Sequence, residues 1–304
     1  MVRLLPSQIA DMEENAYHIR DLAIRMICIG KWGHLGGSLS LAEILAVLYG
    51  GFATLDPKNP KDPLRDYIIL SKAHSSPALY AALAVKGILT REELDGYCSI
   101  QGLEGHLDQV HTPGIEASGG SLGIGLSYSV GVALALKKQE RFSQRVYCIL
   151  GDGELSEGGI WEAAMSASQY RLDNLIAIVD YNKVMAKGFV YNEMTVEPLA
   201  ERFRSFGWTV LEADGHDVGE LYQALHQSKY ICVTGRPVCL IAHTVKGRGI
   251  AQCEFNYKWH THAPGVEKAN EFLAELAQRW GRPYRPIDKP VRKTLSLQDV
   301  VEGE

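Results

Sequence analysis

Three runs of side chains leave this chain little choice of fold. Arg145–Leu150 (RVYCIL), Asn174–Asp180 (NLIAIVD) and Pro237–His243 (PVCLIAH) are almost wholly apolar. A strand with water on one face alternates apolar and polar residues; an unbroken apolar run belongs to a strand covered on both faces. Segments of a different period lie around these runs. Ile9, Met12, Ala16, Ile19, Ala23 and Ile27 recur at helical spacing, and residues 121–138, 158–170, 197–206, 217–228 and 266–280 also read as helices. Shorter β-rich runs stand at Tyr67–Leu70 and 208–212. Buried strands alternating with helices specify an α/β fold: a doubly wound, mostly parallel sheet with helices on both faces.

Helix starts are marked locally. Ser40-Leu-Ala-Glu43 reads as a capping box opening a helix to about Tyr49, and Thr90-Arg-Glu-Glu93 as a second box. Pro77 to Lys86 reads as helix. No internal repeat is visible. Glycines cluster at 30–37, 114–125, 151–159 and 247–249, where loops must turn tightly or approach something closely. The expected organisation is one domain over residues 1–280. A polar tail or linker with Pro283, Pro286 and Pro290 fills 281–304.

Composition excludes several classes. Of 304 residues, 31 are Lys or Arg and 36 Asp or Glu, giving a net charge of −5 and no basic footprint for nucleic acid. The N-terminus turns polar within a few residues and lacks the apolar core of a signal peptide. The longest apolar stretches, Leu41–Phe52 and Val130–Leu136, are too short to span a bilayer. The six cysteines (28, 98, 148, 232, 239 and 253) include no C-x-x-C pair and read as core thiols of a cytoplasmic protein.

Chemistry gathers at the strand ends. Gly151-Asp152-Gly153 follows one apolar run directly, Asp180-Tyr181-Asn182 ends the next, and a helix lies between. If the two strands are neighbours, Asp152 and Asn182 stand together at the carboxyl edge of the sheet, where ligands bind in open α/β folds. A carboxylate and an amide oxygen are hard ligands suited to Mg²⁺, which keeps substrate phosphate oxygens in its shell. Glycines let a bulky anion approach the backbone, and a helix N-terminus near Gly158 favours phosphate. GDG alone is an ordinary tight turn; the whole pattern, with Asp152 and Asn182 thirty positions apart, is far more specific.

That pattern resembles the thiamine diphosphate fingerprint, and other segments resemble transketolases in particular. Trp32-Gly-His34-Leu-Gly36-Gly-Ser is similar to SGHPGxP, and Asp56 through His74 to DPxNPxxxxRDxFVLSxGH. Glu104-Gly-His106-Leu-Asp108 with Thr112-Pro-Gly-Ile-Glu116 resembles GHPExxxTPGVE, and Gly120-Ser-Leu-Gly-Ile-Gly125 resembles GPLGQG. Phe206-Gly-Trp208 with Asp214-Gly-His-Asp217, Thr244-Val-Lys-Gly-Arg-Gly249, and Trp259-His260 with Ala263-Pro264 complete the series. The resemblance runs from about residue 9 to 275.

The resemblance implies the following roles. Asp152, Asn182 and the carbonyl of Val184 hold Mg²⁺, or Ca²⁺ or Mn²⁺ in its place, against the cofactor's diphosphate. His74 and His260 contact that diphosphate beside Gly151 and Gly153, and the backbones of Gly120 and Leu122 meet the thiamine. His34, His106 and His260 face sugar hydroxyls and handle protons. Glu157 joins a carboxylate network reaching a partner subunit. Read as residues alone, the histidines are suited to proton transfer near neutral pH, but such residues are more often ordinary loop histidines.

Fused transketolases are about twice as long, and their second domain supplies the glutamate that activates the cofactor. The resemblance therefore implies the N-terminal subunit of a split transketolase. With a C-terminal partner it would form a heterotetramer that moves a two-carbon ketol unit between sugar phosphates. Departures lie beside the sugar: Leu35, Ser38, Leu107 and Ser121 replace family prolines or neighbours, and Lys72-Ala73 replaces Asn-Gly. These leave open a branched or sulfonated donor. The rival readings are the α chain of a 2-oxoacid dehydrogenase and a scaffold subunit that keeps the fold without the chemistry.

Overall fold

The computed structural model of the chain describes residues 4–231 and 235–288. Helix α1 (Pro6–Gly30) starts on a proline, whose missing N–H costs nothing in a first turn. Short helices α2 (Leu35–Ser40) and α3 (Ala42–Val47) lead into a wide turn through Phe52. Strand β1 (Tyr67–Leu70) and helix α4 (Ser76–Lys86) follow, then α5 (Arg91–Asp95) and α6 (Ile124–Lys138). The central unit is β2 (Val146–Gly151), α7 (Gly158–Gln169) and β3 (Leu175–Tyr181). After it come α8 (Val190–Glu193), α9 (Leu199–Ser205), β4 (Thr209–Asp214), α10 (Val218–Ile231), β5 (Val238–His243) and α11 (Val266–Arg279).

The five strands form one parallel sheet in the order β1-β2-β3-β5-β4. Successive residues of each run go to opposite cores, which is why the runs show no polar alternation. Ile149, Ile178 and Leu240 pack under α1, α3, α4 and α10. Cys148, Leu150, Ala177, Val179 and Ile241 pack under α6, α7 and α9. Both faces are thus covered, as a doubly wound α/β fold requires. A third cluster seats α11 against α1 through Ile24, Ile27, Phe272 and Leu276.

The box at Thr90 is present as expected: its hydroxyl accepts from Glu93 N–H while the Glu93 carboxylate accepts from Thr90 N–H. The box at Ser40 is not. Ser40 ends α2, and α3 starts at Ala42 behind Leu41 with no side-chain cap. The Ser40 hydroxyl donates to Asp180 at 2.7 Å, and Glu43 is clamped by Arg20 at 2.7 and 2.6 Å. Tertiary partners took both side chains that the local motif needed. Burial opposes the charge on Glu43, but Arg20 and His216 overcome it and hold its pKa down at about 2. His216 also accepts from Val245 N–H, so this network reaches the loop after β5.

The described part of the expected tail is tied to the domain at residues 285–287. Arg25 donates to the carbonyls of Arg285 and Pro286, Ile287 is buried in the third cluster, and its N–H donates to Asn270. Residues 289–304 lie outside the described residues, as does Cys232; Cys28, Cys148, Cys239 and Cys253 are buried free thiols. Among the described residues, no helix is long and apolar enough to cross a membrane.

Candidate active site

Strands β2 and β3 are neighbours, with Gly151 opposite Asp180. Asp152 and Asn182 therefore leave the sheet side by side. They open on a cavity of about 330 Å³ at its carboxyl edge, which Val184 and all four loop histidines also line. The rings of His34 and His74 lie 4.9 Å apart, those of His34 and His260 5.1 Å, and those of His74 and His260 5.3 Å. His106 stands 6.5 Å from His34, and the Trp32 indole lies behind both rings. Gly120, Leu122, Gly151, Gly153 and Glu157 complete the expected set around the cavity; Glu157 is exposed at its edge. The segment directly after Asp152 is a tight turn over Gly153–Ser156, and α7 starts only beyond it.

Asp152 is 2% exposed. Its carboxylate accepts from Gly153 N–H at 2.7 Å and from Lys183 N–H. Burial, with the charge of Asp180 nearby, pushes its pKa up; a bound cation would pull it back down. Asn182 is oriented from behind, since its amide NH₂ donates to Asp180 at 3.0 Å and leaves its oxygen to Val184 N–H at 3.1 Å.

Asp180 and its partners were not foreseen in the sequence. Its carboxylate is fully buried, and burial opposes its charge. Lys72 at 2.5 Å, Thr244 and Ser40 outweigh that penalty and keep its pKa low. Lys246 is a second buried ammonium. It donates to the Val184 carbonyl at 2.7 Å and meets His260 Nδ1 at 2.8 Å. Its pKa is lowered by burial and by Lys72. A signal for Lys72 and Asp180 was present: a charge that closes an apolar strand, as in YIIL-Ser71-Lys72 and NLIAIV-Asp180, rarely lacks a partner.

Three imidazoles are held neutral. Burial, then His106 and Lys246, lowers the His34 pKa to about 4; burial, then Lys246, lowers that of His260 to about 3. His74 falls well below its usual value through burial and Lys72. An unfolded chain takes up these protons near pH 6.5. At these three groups it therefore binds more protons than the native state between pH 6.5 and about 4, so their contribution to stability falls as the pH drops through that window. The raised pKa of Asp152 works the other way. In urea melts at pH 7 and pH 5, H34Q should therefore lose less stability on acidification, or gain more, than wild type. Parallel shifts in the two proteins would contradict this electrostatic picture.

The donors suit the expected metal. Among the described residues there is no group of three His, Cys, Asp or Glu side chains poised for an ion. The set is instead one carboxylate, one amide oxygen and one carbonyl. These hard oxygens fit Mg²⁺ if phosphate oxygens fill the rest of its shell. Two buried ammonium groups and neutral imidazoles suit a polyanion, and His34 Nδ1 is buried with no hydrogen-bond partner among the described residues.

Residues 12–293 match the family described as "Transketolase, thiamine diphosphate binding domain". The 6-deoxy-6-sulfo-D-fructose transketolase subunit SqwG of Clostridium sp. (strain MSTE9) is 42% identical over 274 residues, covering 90% of this chain and 98% of that protein. An apulose-4-phosphate transketolase subunit of Phocaeicola vulgatus is 37% identical, covering 90% and 96%. The crystal structure of the Campylobacter jejuni transketolase superposes with a TM-score of 0.83 at 32% identity; the match covers 90% of this chain but 43% of that one. These similarities favour transketolase over the dehydrogenase and scaffold readings.

Proposed function

The chain belongs to the transketolase family, whose thiamine diphosphate-binding domain it matches, and on that premise we propose that it is the cofactor-holding subunit of a two-chain transketolase. One observation carries the reading. Asp152, Asn182 and the Val184 carbonyl meet at adjacent strand ends, in the same cavity as four histidines from four separate loops. The names of the two relatives support it, since both are transketolase subunits of nearly this length.

In this reading Asp152, Asn182 and the Val184 carbonyl hold Mg²⁺, His74 offers a neutral ring N–H to the diphosphate, and Lys72 and Lys246 offset its charge. The backbones of Gly120 and Leu122 face the thiamine ring. Bound thiamine diphosphate supplies a nucleophilic carbon and an electron sink for breaking the bond beside a ketose carbonyl. The chain's part is to orient the sugar and move its protons. His34, neutral at pH 7, can accept a hydroxyl proton, while neutral His260, whose Nδ1 accepts from Lys246, presents its Nε2–H to a sugar oxygen. His106, half-buried at the mouth, faces the sugar from the other side. The donor is a ketose phosphate or a sulfonated or branched analogue, and the acceptor an aldose phosphate.

The partner provides the activating glutamate, and Glu157, exposed at the cavity edge, reaches toward it. Assembly as two copies of each chain suits the surface of α6 and α7, where Ile124 is 57% and Met165 58% exposed. Large apolar groups left bare on neighbouring helices mark an interaction face.

His106→Ala tests the site reading. In the assembled enzyme, assayed with a panel of ketose phosphates and analogues, turnover should fall about 10²–10⁴-fold, the usual worth of a general acid–base group. Affinity for thiamine diphosphate should change little. Normal turnover with the true donor would remove the proton role, and lost cofactor binding would move His106 to the diphosphate end.

A further inference from the structure

Glu154, the residue after Gly153, is 2% exposed. Its Oε1 accepts from Ser71 Oγ at 2.5 Å and from Gly123 N–H at 2.8 Å; its Oε2 accepts from Gly151 N–H at 3.0 Å. These donors come from three segments distant in sequence: the turn after β1, the residue capping α6, and the end of β2. Ser71 adjoins Lys72, and Gly151 adjoins Asp152, so two of the three segments carry the diphosphate floor. Gly123 closes the Gly120–Leu122 loop that faces the thiamine ring. It has a left-handed φ of +85°, and a Cβ there would lie 2.8 Å from the Cβ of Glu157, so the loop takes this path only with glycine.

Among the described residues Glu154 makes no ion pair. A buried carboxylate without a counter-ion is tolerated only when donors surround it. Its two oxygens, both acceptors and at fixed spacing, can take backbone N–H groups from two loops at once. A glutamine can offer only one acceptor oxygen to the same donors.

We propose that Glu154 is a positioning residue: it sets the distance between the Gly120–Leu122 loop and the strand ends beneath it. Recognition of the thiamine ring then depends on Glu154, whereas the strand ends that carry the diphosphate floor keep their places through the β1–β2 and β2–β3 pairing. The inference rests on the thiamine diphosphate reading above.

The test titrates the full chain, assembled with its C-terminal partner, in a calorimeter with Mg²⁺–thiamine diphosphate and separately with Mg²⁺–pyrophosphate. Wild type should prefer the first ligand. In E154A the affinity for pyrophosphate should stay as in wild type. That for thiamine diphosphate should fall about tenfold or more, the equivalent of one charge-assisted hydrogen bond. E154Q, which keeps one acceptor oxygen, should fall between the two, and it applies the same criterion if E154A does not fold. Variants that weaken both ligands equally, or neither, would overturn the positioning role. A wild-type protein with no preference for thiamine diphosphate would instead overturn the cofactor reading, and the inference with it.

Discussion

Asp152→Asn should abolish most of the binding of Mg²⁺–thiamine diphosphate while leaving the chain folded. Asp152 is the only carboxylate among the three proposed metal ligands, so the substitution removes the one negative charge offered to the cation. Even hydrogen-bond partners of metal ligands are worth about 10–100-fold in affinity, so loss of the ligand itself should cost about 100-fold or more. Folding should suffer far less. Asparagine keeps the shape and one acceptor oxygen, so one of the two backbone N–H bonds from Gly153 and Lys183 survives. Burial already opposes the Asp152 charge, and the neutral amide escapes that penalty. Calorimetric titration with the cofactor, with circular dichroism as the folding control, decides the matter. Unchanged affinity would take Asp152 out of the metal site.

The sheet was legible because its signal is local and strong. A run such as NLIAIVD can be satisfied only between two covered faces, and that is where β3 lies. The candidate site was half legible. Asp152 and Asn182 follow strand ends directly, and the histidines stand in short Gly- or Pro-rich loop motifs. Lys72, Asp180, Thr244 and Lys246 stood in quoted motifs but had no role assigned, because they meet only through strand order. β5 pairs with β3 although β4 precedes it in the chain, and this brings Thr244 against Asp180, 64 positions away. Glu154 was missed for the same reason, since its partner Ser71 lies 83 positions back. Ser40 shows the opposite error. A sound local cap pattern lost to the buried donors and acceptors that its side chains found elsewhere.

The second large effect is all-or-none. Among the described residues the chain has one five-stranded sheet. The match to the Campylobacter jejuni transketolase covers 43% of that longer chain. On the proposed reading this chain holds the diphosphate and its metal, and the partner supplies the glutamate that makes the cofactor reactive. Copies of this chain associating through the apolar face of α6 and α7 would then not restore activity. The most direct measurement is a coupled ketol-transfer assay on this chain, on its C-terminal partner, and on the two mixed, with a panel of ketose phosphates as donors. Neither chain alone should show transfer, and activity should appear on mixing and saturate as the partner is titrated in. Robust transfer by this chain alone, with a contaminating host transketolase excluded by mass spectrometry, would contradict the two-chain account.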